Sequence, residues 1–164
     1  MAKPTKHATP ICIGLTVLAV LGIIFGLAYS QPLIPIILLI PAAIYEVYRT
    51  EGKSTKAASW GMLILLIAEL VFVIFGIDFN LAEFLGRDST YVRGYRIPLG
   101  NLQVISPSLM AVLSVVLMTN TRGRYTRWLA AIIFFTAFAI IYTVDPTVFE
   151  ELLKLAVDEG LKRL

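Results

Sequence analysis

Long apolar runs are the feature that most restricts what this chain can fold into. The sequence has 164 residues, of which 58% are hydrophobic and 15% are charged. A soluble domain would have about 45–50% apolar and about 25% charged residues. The excess lies in continuous blocks, and a helix of roughly 20 apolar residues crosses the ~30 Å hydrocarbon layer of a bilayer. We therefore predict an all-α integral membrane protein.

The apolar runs predict a transmembrane bundle over residues 1–145 with about five membrane helices. The predicted spans are 11–29, 33–48, 60–77, 104–119 and 128–144. The run 104–119 is the weakest, so a bundle of four spans without it is the alternative. Five spans are favoured because this apolar run would otherwise lie in water. The first run follows Lys3 and Lys6 as a signal peptide would, but it is longer than a usual signal-peptide core, and we interpret it as an uncleaved span.

The distribution of cations predicts the orientation of the five-span bundle. Eight cations lie on the side of the N-terminus: Lys3, Lys6, Arg49, Lys53, Lys56, Arg122, Arg124 and Arg127. Six lie on the other side: Arg87, Arg93, Arg96, Lys154, Lys162 and Arg163. Because cytoplasmic loops carry the excess of Lys and Arg, we expect a cytoplasmic N-terminus and an extracytoplasmic C-terminus in the cell membrane. The four-span alternative gives the same count, so charge alone does not separate the two.

The chain contains few residues that can bind a metal or take part in redox chemistry. Cys12 is the only cysteine and His7 the only histidine, so the chain has no internal disulfide and no cysteine pair for redox chemistry. A bis-histidine haem or a copper centre needs ligands that the spans lack. We expect no cofactor bound by the chain's own His or Cys. Whether it holds a lipid or contacts a cofactor of a partner is left open.

Glu69 is the outstanding candidate for a functional residue, because it lies midway through the predicted span 60–77. A carboxylate at the bilayer centre costs about 3 kcal/mol on insertion scales. No Lys or Arg falls within any predicted span, so burial favours the neutral, protonated carboxyl. Thr136 and Ser114 lie at a similar depth in their own predicted spans, so we expect them to be the polar neighbours of Glu69. The group is either a proton or ion relay site or a neutral hydrogen-bonding contact between helices.

Two further features of the spans have structural interpretations. Gly22 and Gly26 form a GxxxG motif, with Gly14 two turns earlier on nearly the same stripe, and such small residues allow helices to approach closely. Packing within the chain and homodimerisation are both open. Glu46 lies one turn before Arg49 at the predicted cytoplasmic end of the second span, where pairing with that arginine is easy.

Two segments lie outside the predicted spans. Residues 78–103 form the one sizeable loop, and the alternation over 90–97 predicts a small hairpin. Residues 146–164 predict an amphipathic helix on the membrane surface or on a partner. In that helix Thr147 and Glu150 match a capping box, and Phe149 belongs to the apolar face.

The motifs of common enzymes are absent from the sequence. It contains no GxSxG elbow, no phosphate-binding GxxxxGK[ST] loop and no HExxH zinc helix. The cations lie at the ends of spans, so we expect no binding of nucleic acid. We predict a non-enzymatic membrane protein, a small structural or accessory subunit that contacts lipids and other subunits or copies of itself. The alternative is a small proton- or ion-coupled transporter or channel that uses Glu69.

Overall fold

The computed structural model describes residues 7–77, 90–92, 95–97, 102–147 and 149–150. Within these residues the chain is helical apart from one short hairpin. The long helices are α1 (Ala8–Tyr29), α2 (Leu33–Arg49), α3 (Lys53–Phe75), α4 (Leu102–Asn120) and α5 (Arg124–Val144).

The hairpin lies within the predicted outer loop. Strands β1 (Thr90–Val92) and β2 (Tyr95–Ile97) pair antiparallel, with Tyr91 opposite Arg96. The hairpin predicted over 90–97 is therefore confirmed, while the rest of the loop, 78–89 and 98–101, lies outside the described residues.

Four of the described helices are long and apolar enough to cross a membrane, which supports a membrane-embedded helical protein. They cover Ala8–Tyr29, Lys53–Phe75, Gln103–Asn120 and Arg124–Val144. The weakest predicted run, 104–119, thus lies in a helix of full length. The shortest helix is α2, whose 17 residues rise about 26 Å at ~1.5 Å per residue.

The five helices pack as a ring with one contact across it. Each helix packs against the next along the chain, α5 packs back against α1, and α2 also reaches α5. The largest buried side chains include Leu39 of α2, Leu66 of α3 and Ile133 of α5. Helices α1 and α3 are the least buried of the four candidate spanning helices, with 22% of their spanning windows buried, against 44% for α5.

Four of the five helices begin earlier than the apolar runs predict, and the difference is largest for α3 and α5. Helix α3 begins at Lys53 instead of residue 60, and α5 begins at Arg124 instead of residue 128. The polar first turns keep their backbone hydrogen bonds, for example Lys56 N to Gly52 O at 2.9 Å. Hydropathy marks the apolar part of a helix, whereas its backbone hydrogen bonds continue into the polar residues that precede the apolar run.

Left-handed residues end two of the helices. Ser30 ends α1 with φ of 50°, and the amide of Gln31 donates to Gly26 O at 3.0 Å. Gly76 ends α3 with φ of 58°, a conformation that glycine adopts without a steric penalty. The turn after α1 is so short that α1 and α2 form the antiparallel hairpin that three connecting residues require.

The predicted helix 146–164 falls mostly outside the described residues, which end at 150. Residues 146–147 and 149–150 are helical, but the cap differs from the prediction. Asp145 Oδ1 accepts from Thr147 N at 3.0 Å and from Thr147 Oγ1 at 2.6 Å, so Asp145 caps the segment and Thr147 lies inside it. Phe149 packs edge-on against Phe138 and Tyr142 and thus faces the chain's own bundle.

Candidate functional site

Glu69 is fully buried on the inner face of α3, with 0% of its side chain exposed. Neither carboxyl oxygen has a hydrogen-bond partner among the described residues. A buried polar group without a partner is rare in native proteins and calls for a specific explanation. Glu69 lies six residues before the end of α3 at Phe75, about 9 Å along the helix, so it is nearer the C-terminal end of α3 than the middle of that helix.

Ser106, near the start of α4, is the polar residue that faces the Glu69 carboxyl. Its hydroxyl donates to Leu65 O on α3 at 3.0 Å. The hydrogen of Ser106 is therefore directed to the backbone, and its oxygen lone pairs remain able to accept. Ser106 thereby joins α4 to α3 beside the buried carboxyl.

Thr136 and Ser114, the residues matched to Glu69 by depth, are both fully buried, but neither is hydrogen-bonded to it. Thr136 donates to Ile132 O of its own helix at 2.8 Å. Ser114 lies 2.7 Å from Met110 O and 3.3 Å from Met62 Sδ. Met62 precedes Glu69 by two turns of α3, so Ser114 lies about 10 Å deeper in the bundle than the carboxyl.

The sequence reasoning missed Ser106 because it placed both partners at the centres of their spans. Helices α3 and α4 are antiparallel, as the contacts of Met62 with Ser114 and of Leu65 with Ser106 show. In this antiparallel arrangement, residues later in α3 lie opposite residues earlier in α4, so the first turns of α4 lie opposite Glu69. Pairing the end of α3 with the start of α4, rather than centre with centre, would have found the residue.

A second buried carboxyl, Glu46, lies at the opposite end of the bundle and is also 0% exposed. Thr50 Oγ1 lies 2.9 Å from Glu46 Oε1, and Ser59 donates to Thr50 Oγ1 at 2.8 Å. These hydroxyls join the end of α2 to the beginning of α3. Glu46 Oε2 has no partner among the described residues. The sequence interpretation emphasised Arg49 and missed this serine–threonine chain.

Arg49 itself lies against aromatic rings near the same end. Its guanidinium carbon is 5.0 Å from the ring centre of Tyr125 and 6.0 Å from that of Tyr45, within the range of cation–π attraction. The Tyr125 hydroxyl is hydrogen-bonded to Thr9 Oγ1 at 2.8 Å. Arg49 thereby connects α2 with α5, while Tyr125 connects α5 with α1.

The three glycines of the predicted packing stripe have different surroundings. A Cβ atom on Gly26 would lie 2.7 Å from Pro35 Cδ, and one on Gly22 would lie 3.1 Å from Leu38 Cβ. Both glycines therefore allow close packing of α1 on α2 within the chain. A Cβ on Gly14 would meet nothing within 4 Å, so this glycine faces outward.

The described residues contain no group of three or more His, Cys, Asp or Glu side chains arranged to hold a metal ion. Cys12 is buried as a free thiol, and His7 is exposed just before α1. The buried titratable side chains among the described residues include the carboxyls of Glu46 and Glu69 and the thiol of Cys12. Comparison of this chain with known protein families, with curated proteins and with solved structures found no match.

Proposed function

We propose that this chain is a non-enzymatic integral membrane protein that serves as a small structural or accessory subunit of a larger assembly in the cell membrane. In this proposal all five helices cross the bilayer, with the N-terminus in the cytoplasm and the C-terminus outside. The amphipathic segment 146–164 then lies at the outer surface, on lipid or on a partner.

The observation that carries the proposal is the low burial of α1 and α3. Only 22% of each spanning window is buried, and large apolar side chains such as Val17 and Ile64 are 53% and 61% exposed. Gly14 lies on the exposed face of α1, where an added Cβ atom would have no neighbour within 4 Å. Close approach at a small residue is how helices associate when lipid gives no hydrophobic driving force.

Affinity purification in a mild detergent tests the proposal, with Gly14→Leu as the informative variant. A Cβ atom at this position has no neighbour within 4 Å, so we expect the fold to persist, whereas a helix packed on α1 would be displaced. Val112→Leu, on the 60% exposed outward side of α4, is the matched control. We expect a stoichiometric membrane partner, or a second copy of the chain, that is retained by the control and lost from Gly14→Leu. A monomer without any stoichiometric partner in the wild type would refute the proposal.

The second candidate function, a proton- or ion-coupled transporter or channel, is favoured by the unpartnered carboxyl of Glu69. Buried polar groups also follow one another along the inner face of α3. Ser59 lies at one end, Ser114 contacts Met62 further along, and Ser106 and Glu69 lie near the other end. From Ser59 to Glu69 the helix rises about 15 Å.

Proton flux into proteoliposomes, followed with an enclosed pH-sensitive dye, distinguishes the two candidates. Glu69→Gln keeps the shape of the side chain but cannot exchange a proton in the same way. A relay predicts loss of flux in Glu69→Gln, reduced flux in Thr136→Val and Ser114→Ala, and unchanged flux in Glu51→Gln, an exposed carboxylate. A wild type no leakier than empty vesicles would exclude proton transport under the conditions used.

A further inference from the structure

A basic cavity lies between the turn that joins α2 to α3 and the turn that joins α4 to α5. Its volume is about 640 Å³, within the ~300–1,000 Å³ range of small-molecule sites. The lining residues all belong to these two turns and the helix ends beside them. They are Arg49, Glu51, Gly52, Lys53, Ser54, Thr55 and residues 120–126.

The charge of the cavity wall is strongly unbalanced. Four cations line it, and Glu51 is the one carboxylate among the lining residues. The cations are Arg49, Lys53, Arg122 and Arg124. They come from both turns and so surround the space rather than form a stripe on one helix. A concave site lined by one sign of charge concentrates ions of the opposite sign.

Two helix N-termini open into the same cavity and add to its preference for anions. Helix α3 begins after Gly52 and α5 begins after Gly123, and neither cap residue makes a side-chain capping bond. The first-turn amides of a helix have no partner within the helix, and they carry the positive end of its dipole. The first-turn residues Ser54, Thr55, Tyr125 and Thr126 are all part of the lining.

Thr121 belongs to the wall of the cavity. Its backbone oxygen accepts from Arg127 Nε at 2.7 Å, which ties this turn to the first turns of α5.

We propose that this cavity binds a phosphate group, as a phospholipid headgroup or as a small soluble phosphate. Phosphate is the common anion whose several oxygens can be shared among guanidinium groups, an ammonium group and helix N-termini. In the proposed topology the site lies on the side of the membrane that carries the excess of cations, and it faces the headgroups of that leaflet. It uses neither Glu69 nor the outer faces of α1 and α3, so it is independent of both candidate functions.

The test pairs two lysines of one helix that are three residues apart. Lys53 lines the cavity, whereas Lys56 is exposed one turn later and is not part of the lining. Lys53→Gln and Lys56→Gln therefore remove the same charge from the same membrane surface. The double variant Arg122→Gln/Arg124→Gln removes both cations of the second turn. Thermal unfolding of each variant, followed by tryptophan fluorescence, checks that it is folded.

Two binding measurements separate the sources of the phosphate. Native mass spectrometry from mixed phosphatidylglycerol and phosphatidylcholine micelles measures lipid that stays bound. Calorimetric titration with inorganic phosphate or glycerol 3-phosphate, on protein in phosphatidylcholine nanodiscs, measures a soluble ligand. Removal of one charged contact should weaken binding by about tenfold.

The proposal of a lipid headgroup is supported if the wild type and Lys56→Gln retain phosphatidylglycerol, while Lys53→Gln and the double variant lose it. Saturable binding of a soluble phosphate with the same pattern supports a soluble ligand. The proposal is overturned if neither probe binds the wild type, or if Lys56→Gln weakens binding as much as Lys53→Gln. In the latter case the attraction would be that of the general surface charge.

Discussion

Replacing Gly26 by alanine should loosen the packing of α1 on α2. The new Cβ would lie 2.7 Å from Pro35 Cδ and 2.9 Å from Pro35 Cγ, well inside van der Waals contact. The proline ring is rigid and closed onto its own backbone, so the two helices must separate to make room. The same substitution at Gly14 meets nothing within 4 Å, which makes Gly14→Ala the matched control.

The comparison isolates the steric contribution. Both variants exchange glycine for alanine within the same helix, so the gain in helix propensity, about 0.5–1 kcal/mol, is common to both. Overpacking a close contact costs about 1–3 kcal/mol. The free energy of unfolding of Gly26→Ala should therefore be about 1–3 kcal/mol lower than that of Gly14→Ala. Gly22→Ala, with a nearest contact of 3.1 Å, should lie between the two.

Reversible unfolding in mixed detergent micelles, titrated with SDS, measures this difference. Tryptophan fluorescence is a suitable signal, because Trp128 Nε1 donates to Thr16 Oγ1 of α1 at 3.0 Å and so reports on the position of that helix. Equal stability of Gly26→Ala and Gly14→Ala would mean that α1 does not approach α2 closely at Pro35.

Further predictions concern Ser30, in the turn between α1 and α2, and Glu69 of α3. Ser30→Gly should raise the free energy of unfolding by about 1 kcal/mol in the same titration, because a non-glycine residue at φ of 50° is strained. An unchanged or lower free energy of unfolding would argue against the left-handed conformation of Ser30. Glu69→Met should stabilise the bundle by about 1–3 kcal/mol, because it removes a buried carboxyl without a partner, whereas a clear destabilisation would reveal a hydrogen bond at that carboxyl. Infrared difference spectra of wild type and Glu69→Gln should contain a protonated carboxyl band at pH 7, and a carboxylate band in its place would contradict a neutral Glu69.

The helices themselves could be predicted from the sequence, because each apolar run is long and free of charge over most of its length. Their beginnings could not, since Lys53 and Arg124 are helical although they are polar. Hydropathy measures transfer into hydrocarbon, and a helix does not have to end where the hydrocarbon ends. The short hairpin at 90–97 was recognisable because strand alternation and turn residues are local signals.

The neighbours of Glu69 depend on how α3 and α4 are aligned along their length, and this alignment could not be predicted from the sequence. Glu69 could be singled out by its charge within an apolar run. Its neighbour Ser106 depended on which turn of α4 lies opposite the end of α3, and matching the centres of the spans selected Ser114 instead. The glycine stripe posed the same difficulty, because Gly14, Gly22 and Gly26 are alike in sequence, yet only two of them face α2.

The basic cavity is also a product of tertiary structure. Its cations were visible in the sequence as flanks of spans, and they served there only to predict orientation. Their grouping around one space arises because the turns 50–52 and 121–123 lie at the same end of the antiparallel bundle. Two helix N-termini meet at that end for the same reason, since α3 and α5 run in the same direction.

The position of the C-terminus is the most decisive test of the proposal that five helices cross the membrane. A reporter that is active only outside the cytoplasm, fused after Leu164, should be active, while a cytoplasmic reporter at the same position should be silent. Matching fusions in the turns 50–52 and 121–123 should give the opposite result, because both turns would then lie on the cytoplasmic side. A cytoplasmic signal after Leu164 would contradict the proposed topology, because with a cytoplasmic N-terminus it requires an even number of crossings.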